Sequence, residues 1–353
     1  MRKGKRLIAW IMAVVMLFTI CVFGGNGTAE AAATTPVAKH GRLSVKGADL
    51  VDSKGNKFQR RGISTHGINW DVGSPYVNKK AFKTLRDDWG VNAIRLAMYT
   101  EEYNGYCSGG SQAKLRKLVD KGVGYATDLG MYAIIDWHIL SDGNPNKNKS
   151  QAKKFFTTMA KKYKNNKNVI YEICNEPNGC SWKEIKSYAT DIIKTIRKYD
   201  KKAVIIVGTP TWSQLGTDGT SNEVADSPIK GYKNIMYSLH FYASEWAHNE
   251  YLPAKVAYAR KKKLPIIVSE FGLSPASGDG AINKASADKW MKLLNKYNIS
   301  YFCWSLSNKN ESASLLKPST KKTSGWKSGD LSTAGKYIKK KYLARKKALG
   351  KKA

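Results

Sequence analysis

Short, almost continuous apolar runs alternate along this chain with longer segments in which apolar residues recur at helical spacing. In 151–164, for example, apolar side chains at every third or fourth position form one helical face among many lysines. Strands of a parallel sheet are buried on both faces and therefore form near-continuous apolar runs, with helices between them. The pattern predicts eight such strands: 61–65, 93–99, 132–138, 169–176, 203–209, 235–242, 265–271 and 301–306.

Eight strand–helix units in roughly 280 residues fit a closed barrel better than an open sheet. The predicted fold class is therefore α/β, a single-domain (β/α)8 or TIM barrel over 34–341. Ahead of the first strand, 43–46 and 57–60 flank Asp52-Ser53-Lys54-Gly55, which is a turn signal. We expect these segments to form an N-terminal β-hairpin that closes the bottom of the barrel.

The first 33 residues have the organisation of an export signal. Four basic residues among the first six precede an uncharged apolar run at 7–23, and Ala29-Glu30-Ala31 offers a small-x-small cleavage site. We therefore predict a signal peptide over 1–33, a secreted extracellular protein, and no stable membrane insertion after cleavage. The apolar run is intermediate in length between a signal core and a spanning helix, so an uncleaved membrane anchor is the open alternative.

Four cysteines follow the leader, at Cys107, Cys174, Cys180 and Cys303. Export permits disulfides, but four cysteines allow three pairings and the sequence does not choose among them. Cys174 and Cys303 lie inside strand-like runs, which favours small buried side chains, whereas Cys107 and Cys180 fall in loops. The sequence has neither a C-x-x-C or His-rich spacing nor a Gly-rich phosphate loop after a strand. No metal and no other cofactor is therefore predicted.

The chain carries a formal net charge of +33, with 60 Lys and Arg against 27 Asp and Glu. The lysines are dispersed and lack the interleaved aromatic residues of nucleic-acid-binding modules, so nucleic acid is not an expected partner. A generally lysine-rich, solvated surface is the simpler interpretation of this charge. The alternative is adhesion to anionic wall polymers, to which a basic C-terminal tail predicted at 342–353 would contribute.

Two glutamates stand at the ends of predicted strands. Glu176 follows the fourth apolar run and Glu270 the seventh, and both open into loops rich in Gly, Pro or Asn. A carboxylate at the tip of a buried strand is costly unless it faces a polar cleft. Reactive groups of this fold lie at the C-terminal ends of strands, so the two glutamates indicate a carboxylate pair that cuts a glycosidic bond.

The other strand ends carry polar or aromatic groups on the same predicted rim. A single His on an apolar strand is more often a core residue than a catalyst. Eight strands that all end in polar or aromatic groups instead favour a functional site. The companions of the two glutamates are His66, Arg95, Tyr99, Trp137, His138, Asn175, Trp212, His240, Tyr242 and Trp304.

Several of these residues lie in strings that resemble a known enzyme family. Asn175-Glu176-Pro177, Asp136-Trp137-His138, His240-Phe241-Tyr242 and the Glu270 strand resemble glycoside hydrolase family 5. The chain is similar to the subfamily 2 bacterial endo-β-1,4-glucanases, or cellulases, of that family over about 40–340. All eight residue types that mark the family's active site are present: Arg95, His138, Asn175, Glu176, His240, Tyr242, Glu270 and Trp304.

The resemblance implies a catalytic role for Glu176 as the general acid/base and for Glu270 as the nucleophile. It places Arg95 and Tyr242 beside Glu270, where they would hold its charge and orientation. It also implies that Asn175 bonds the sugar 2-hydroxyl, a contact that strengthens as oxocarbenium character develops. The remaining polar lining would come from His138 and His240.

The resemblance also implies substrate-binding residues. Trp304 would offer an aromatic face at the point of cleavage, with Trp70 and Tyr99 on the non-reducing side and Trp212 on the leaving-group side. Further hydrogen bonds to sugar hydroxyls would come from His66, Lys309 and Glu311. For Trp70, Trp212, Lys309 and Glu311, loop packing or surface pairing is the alternative interpretation.

The resemblance implies a secreted, monomeric, retaining endo-β-1,4-glucanase that acts on a β-glucan by double displacement. The same machinery acting on β-mannan, lichenan or xyloglucan stays open, because the loops after strands one and eight set sugar preference. A non-catalytic wall-binding barrel is the alternative of another class, and the two intact glutamates argue against it. An anchored structural protein, held by the leader and the tail, is the third.

Overall fold

A computed structural model describes residues 35–350, so the predicted signal peptide lies outside the described part of the chain. Its strands are β1 (Ser44–Lys46), β2 (Asp49–Val51), β3 (Arg61–Thr65), β4 (Ala93–Tyr99), β5 (Tyr132–His138), β6 (Val169–Glu172), β7 (Ile205–Val207), β8 (Ile235–Tyr242), β9 (Ile266–Gly272) and β10 (Tyr301–Leu306). Strands β3 to β10 form a closed parallel barrel in chain order, with β10 beside β3. The predicted eight-stranded barrel is confirmed.

Helices connect the strands and cover the outside of the barrel. Their apolar faces pack on outward-pointing strand residues such as Ile94, Leu96 and Met98. The helix Trp182–Arg197 begins with a capping box in which Ser181 and Glu184 satisfy each other's backbone N–H groups. Within 35–350 the other helices are Pro36–His40, Lys79–Trp89, Gln112–Asp128, Lys149–Tyr163, Glu223–Asp226, Trp246–Lys261, Lys284–Lys296 and Thr333–Gly350, with a short helical turn at Pro210–Ser213 and 3-10 turns at Ser74–Tyr76 and Ser328–Asp330.

Two strands are shorter than the apolar runs that predicted them. β6 ends at Glu172 and β7 spans Ile205–Val207, although the runs extend over 169–176 and 203–209. Past the end of β6 the chain still bonds to its neighbours, since the N–H of Asn175 donates to the Trp137 carbonyl at 3.2 Å. Glu176 therefore stands on a short loop beyond the strand end, fixed by the strand next to it.

The N-terminal hairpin closes the bottom of the barrel as predicted, but its turn lies elsewhere. β1 pairs with β2, with Lys46 opposite Asp49, so the chain reverses at Gly47, whose φ of 59° suits a tight turn. The segment 57–60, predicted as the second strand, contributes one bridge from Lys57 to Val51. The barrel bottom is filled by Leu43, Leu50, Phe58, Ala93, Tyr132, Ile134, Ile170, Val204, Ile206, Met236, Ile267 and Phe302.

The C-terminal helix, Thr333–Gly350, continues through most of the segment predicted as a basic tail. Tyr342 is fully buried, and its hydroxyl donates to the Gly62 carbonyl at 2.8 Å. Arg345 donates from Nε to Gln59 Oε1 at 2.8 Å. The boundary predicted between 341 and 342 falls inside a packed helix, because a buried aromatic side chain anchors it to the barrel despite the surrounding lysines.

The four cysteines in the described part of the chain are free thiols. Cys174 and Cys303 are buried as predicted, and Cys107 and Cys180 are partly buried in loops. Over residues 35–350, every helix is too short or too polar to cross a bilayer.

Candidate active site

A pocket of about 570 Å³ opens at the C-terminal ends of the barrel strands. The fold brings predicted site residues from all eight strands to this one pocket. Arg95 and Asn175 are fully buried beneath its surface. The predicted residues that line it are His66, Trp70, Tyr99, His138, Glu176, Trp212, His240, Tyr242, Glu270, Trp304, Lys309 and Glu311.

Glu176 and Glu270 lie side by side in this pocket. A side-chain oxygen of each, together with a ring nitrogen of His240, lie within 4.8 Å of one another. The register of β8 and β9 contributes to this arrangement, because it sets His240 directly opposite Glu270. Carboxyl groups about 5–5.5 Å apart are typical of retaining glycosidases, whereas inverting pairs are wider and leave room for a water. The geometry therefore fits a nucleophile with an acid/base.

Glu270 is held by two hydrogen-bond donors. Nη1 of Arg95 donates to Oε2 at 2.9 Å, and the hydroxyl of Tyr242 donates to Oε1 at 2.7 Å. Burial and the charge of Glu270 raise the pKa of Tyr242 well above its ordinary value, so the phenol keeps its proton. Gly272 is needed here, because a Cβ at that position would lie 2.6 Å from the Tyr242 ring. These two contacts place a donor on each carboxyl oxygen of Glu270 and fix its orientation.

Arg95 is the centre of a buried ionic cluster. Besides Glu270, it contacts Glu172 from Nε at 2.7 Å and Asp136 from Nη2 at 3.0 Å. Burial alone would lower the pKa of Arg95, but the three carboxylates raise it above its ordinary value. Burial raises the pKa of Asp136 to about 7 despite the attraction of Arg95. Burial also raises the pKa of Glu172 despite the same attraction, so Asp136 and Glu172 hold protons more readily than exposed carboxyl groups do.

Glu176 has a different environment. Burial raises the pKa of Glu176 to about 8, so most of this carboxyl is protonated at neutral pH. Burial lowers the pKa of His240 to about 4, so the imidazole 2.7 Å away is neutral. Glu176 then donates to Nδ1 of His240, and Nε2–H of His240 donates to Ser269 Oγ at 2.9 Å. The two glutamates thus have different environments: Glu176 contacts a neutral imidazole, whereas Glu270 contacts the Arg95 guanidinium and the Tyr242 hydroxyl.

The chain of buried polar groups extends beyond His240. Ser269 Oγ, which contacts His240, also makes a short hydrogen bond with Ser238 Oγ, and both serines are fully buried. A hydroxyl can donate or accept, so Ser269 can satisfy either tautomer of a neutral imidazole. His240 can therefore change tautomer when the protonation state of Glu176 changes, and both of its ring nitrogens keep a hydrogen-bond partner.

Asn175 is positioned by its neighbours on three sides. Its Oδ1 accepts from Nη2 of Arg95 at 2.6 Å, and its Nδ2 donates to the Ile139 carbonyl at 3.1 Å. Nδ2 also lies 3.2 Å from Nε2 of His138, which is a free acceptor because Nδ1 of His138 bonds Asp136 at 2.6 Å. Both amide hydrogens of Asn175 already have acceptors. The predicted contact with a sugar hydroxyl would therefore use the second lone pair of Oδ1 as an acceptor.

Aromatic side chains form one wall of the pocket. The rings of Trp304 and His138 are stacked, with centroids 5.3 Å apart and an interplanar angle of 17°. The rings of Trp70 and Tyr99 lie 4.5 Å apart, and Nε1 of Trp70 donates to the Tyr103 carbonyl at 2.7 Å, which fixes the indole. Apolar aromatic faces with polar groups around them suit the alternating apolar and hydroxyl surfaces of a sugar chain.

Trp212 is presented by a turn with left-handed backbone geometry. Thr211, Trp212 and Ser213 have φ angles of 56°, 53° and 62°, which cost non-glycine residues conformational energy. Hydrogen bonds hold the turn: the N–H of Trp212 donates to the Pro177 carbonyl at 3.0 Å, and Ser213 Oγ donates to the Asn175 carbonyl at 2.7 Å. The indole is 43% exposed, and its backbone is tied to the loop that carries Glu176.

His66, Lys309 and Glu311 form a polar group at one side of the pocket. Nζ of Lys309 lies 2.6 Å from Oε2 of Glu311, and Nε2 of His66 lies 3.6 Å from Oε1. Burial alone would raise the pKa of Glu311, but His66 and Lys309 outweigh it and hold that pKa below its ordinary value. Glu311 is therefore an anionic acceptor beside the aromatic wall.

Trp137 was predicted on the rim but lies outside the barrel wall. It is fully buried, with its ring centroid 5.2 Å from those of Tyr106 and Phe155. Side chains alternate along a strand, so Asp136 and His138 point into the barrel and Trp137 points toward the helices. Strand alternation alone would have excluded this residue.

Sequence reasoning missed the buried residues that support the site. A signal existed for Glu172, since a carboxylate inside an apolar strand needs a partner. No such signal marks Ser269, because a small hydroxyl is common in buried strands. Another missed lining residue, His248, lies in the first turn of the helix Trp246–Lys261. The rest come from loops, which have no periodicity: Glu102, Leu140, Gln214, Glu245, Ala276, Ser277 and Gly278.

Comparison with known proteins identifies relatives along most of the chain. The family model described as Cellulase (glycosyl hydrolase family 5) matches residues 51–310. An endoglucanase of Clostridium saccharobutylicum is 47% identical over 341 residues, which cover 95% of this chain and 72% of that protein. Endoglucanase 5 of Pectobacterium carotovorum subsp. carotovorum is 44% identical over 325 residues, covering 92% of this chain and 62% of that protein.

Solved structures share the fold over most of the length of this chain. The catalytic domain of Thermobifida fusca endoglucanase Cel5A (E5) superposes with a TM-score of 0.81 at 37% identity, covering 88% of this chain and 99% of that domain. A variant of the same domain in complex with cellotetraose gives a TM-score of 0.80 at 36% identity, with the same coverage of both chains.

Proposed function

This chain belongs to glycosyl hydrolase family 5, the cellulases, and we propose that it hydrolyses internal β-1,4-glucosidic bonds of a β-glucan with retention of configuration. One observation carries the proposal: a protonated Glu176 and a donor-held Glu270 share one pocket, with side-chain oxygens within 4.8 Å. The relatives named endoglucanases and the cellotetraose complex of one of them support a β-glucan as the substrate.

In the first chemical step, an oxygen of Glu270 attacks the anomeric carbon while the bond to the leaving sugar breaks. Glu176 gives its proton to the departing oxygen, and an ester between Glu270 and the sugar remains. The newly ionised Glu176 then accepts a hydrogen bond from Nδ1 of His240, whose other nitrogen accepts from Ser269. In the second step, water gives a proton to Glu176 and attacks the same carbon, which breaks the ester. Two inversions leave the configuration unchanged.

Product analysis by NMR tests this reaction directly. With cellopentaose as substrate, the β-anomer of the new reducing end should appear first, and the α-anomer should follow only at the rate of mutarotation. The positions of the cuts report whether internal bonds are attacked. Early appearance of the α-anomer would contradict the retaining mechanism.

The choice of glycan is tested by parallel rate measurements on carboxymethyl cellulose, lichenan, β-mannan and xyloglucan. We expect the β-1,4-glucans to be cut fastest. Hydrolysis of mannan with carboxymethyl cellulose untouched would contradict the glucanase proposal. An unchanged chain length of every polymer after long incubation would favour the non-catalytic barrel instead.

The raised pKa of Glu176 gives a pH prediction. As the general acid, Glu176 must be protonated, so kcat/KM should fall about tenfold per pH unit above its pKa of about 8. The measurement is a kcat/KM profile on a cello-oligosaccharide for the wild type and for Glu176→Gln, whose amide does not titrate. The alkaline limb should be absent in the variant, and an unchanged limb would assign it to another group.

A matched pair of substrates separates this role from a general loss of structure. An aryl cellobioside with a readily departing phenolate needs little protonation, so its first step should be far less impaired in Glu176→Gln than that of the oligosaccharide. Equal impairment of both substrates would indicate a damaged site rather than a missing proton donor.

Export is a further part of the proposal, based on the basic start, the apolar run and the small-x-small site of the leader. The mass of the N-terminal peptide of the protein from culture medium should correspond to a start near Ala32. A protein that retains residues 1–33 in the cell membrane would contradict release.

A further inference from the structure

The N-terminal ends of the barrel strands, at the opposite end from the catalytic pocket, form a face rich in lysines. Loops that lead into strands on this face carry positive side chains around several surface depressions. Examples are Lys164, Lys167, Lys201, Lys202, Lys233 and Lys263. Part of the positive charge of the chain therefore lies at the end of the molecule away from the active site.

This face also has a groove of about 1050 Å³ between the helix Pro36–His40, the loop after β2 and the end of the C-terminal helix. We call it the basal groove. Its exposed cationic residues come from three separate segments: Lys39, Lys54, Lys57, Lys346 and Lys347. Its acidic lining residue is Asp52, which is 4% exposed.

Internal pairing leaves most of this charge free. Asp52 is engaged, since its Oδ2 lies 3.0 Å from Nδ1 of His40 and its Oδ1 accepts backbone N–H groups at 2.9 Å. Lys57 is paired with Asp49 at 3.0 Å. Among residues 35–350, no carboxylate oxygen lies within 4.0 Å of the amino groups of Lys39, Lys54, Lys346 or Lys347. The basal groove therefore has an uncompensated positive lining.

Helix dipoles explain only part of this arrangement. Basic residues near a helix C-terminus stabilise the helix, which accounts for Lys39 and Lys347 in last turns. Lys54 belongs to a turn after β2 and has no such role. The approach of several unpaired lysines from different segments to one groove raises the positive potential there and favours an anionic ligand.

We propose that the basal groove binds a linear polyanion with a phosphodiester backbone. Lysine ammonium groups are flexible point charges that suit singly charged phosphodiesters, whereas planar carboxylates are matched better by arginine forks. The groove also lacks an exposed aromatic residue among the described lining residues, since Phe58 is 6% exposed, so it offers no platform for stacking bases. A polyol-phosphate polymer fits these features better than a nucleic acid.

The location has a functional consequence that does not depend on the proposed reaction. A polymer in the basal groove contacts the hairpin and the C-terminal helix, while the catalytic pocket opens at the other end of the barrel. The protein can thus be retained on an anionic surface with its pocket accessible to a second polymer.

The test uses synthetic poly(glycerol phosphate) and the full exported chain. The basal variant carries Lys54→Glu, Lys346→Glu and Lys347→Glu. The matched control carries Lys114→Glu, Lys153→Glu and Lys154→Glu, which are also exposed, lie on helices away from the groove and change the net charge equally. At about 50 mM salt, we expect the basal variant to bind at least about tenfold more weakly than the wild type, and the control to stay within about threefold.

Thermal unfolding and hydrolysis of a soluble substrate should be the same for all three proteins, which shows that folding is not the cause of the difference. Equal weakening of both variants would overturn the proposal, because total charge rather than the groove would then drive binding. Equally tight binding of polygalacturonate, a carboxylate polymer, would overturn the assignment of a phosphodiester ligand.

Discussion

Replacing Glu270 with glutamine is expected to lower kcat by at least about 10⁴-fold, because an amide oxygen does not form the glycosyl ester. The shape of the site should survive, since the amide retains an oxygen for Arg95 or Tyr242. We therefore expect a cello-oligosaccharide to bind the variant, and calorimetry would measure that affinity separately from turnover. Glu250→Gln is the control, since Glu250 is exposed on the helix Trp246–Lys261 and lies outside the pocket.

Rescue by azide distinguishes the two glutamates. In Glu270→Gly, azide can enter the vacated space and attack the anomeric carbon of an activated aryl β-glycoside once, which gives an α-glycosyl azide. In Glu176→Gly, azide instead intercepts the glycosyl ester and gives the β-product. The opposite pairing of products with variants would reverse the roles of Glu176 and Glu270, and undiminished turnover by Glu270→Gln would end the proposed mechanism.

Replacing Arg95 with methionine is expected to lower the free energy of unfolding by about 3–5 kcal/mol and to abolish activity. The side chain is fully buried and contacts Asp136, Glu172 and Glu270. Without the cation these carboxylates stay in the barrel interior with no compensating charge. Urea unfolding followed by fluorescence would measure the loss.

The same variant should show a characteristic dependence on pH. In the wild type, burial raises the pKa of Asp136 from its ordinary value to about 7, so the folded state binds more protons than the unfolded state and this group weakens stability as pH rises toward 7. Loss of Arg95 raises this pKa further and extends the decline to higher pH. The destabilisation by Arg95→Met should therefore be larger at pH 8 than at pH 5.

Arg60→Met is the matched control. Arg60 is also fully buried, at the bottom of the barrel, but none of the described carboxylates lies within 4.0 Å of it, and its Nε and Nη1 are unpaired. Replacing a buried, poorly paired guanidinium by an apolar side chain is often neutral. A loss from Arg60→Met as large as that from Arg95→Met would attribute both effects to packing and contradict the ionic explanation.

The sequence predicted the barrel, the family and the residues of the pocket because each depends on a local pattern. Apolar runs mark buried strands, and a charged or aromatic residue within such a run or at its end stands out. Arg95 and His240 were found in this way, and the comparisons confirm the family. The role of each site residue stays a prediction that the variants above test.

Features that depend on partners distant in sequence were missed or misplaced. The role of Glu172 and Asp136 in the site depends on their ion pairs with Arg95, which lies on another strand. The hairpin turn was placed at Asp52–Gly55 because that string is the stronger turn signal, whereas burial of Leu50 favours pairing at Gly47. The tail boundary was wrong for a similar reason, since the contact between Tyr342 and Gly62 spans most of the chain.

The left-handed turn at Trp212 has a consequence for redesign. The N–H of Trp212 and the hydroxyl of Ser213 donate to the carbonyl groups of Pro177 and Asn175, the residues on either side of Glu176. Replacing only the Trp212 side chain should change the binding of the departing sugar and leave the proton donor Glu176 in place. Exchanging the whole loop for one from another enzyme would remove two supports of the catalytic acid, so preference for the aglycone and catalytic power would change together.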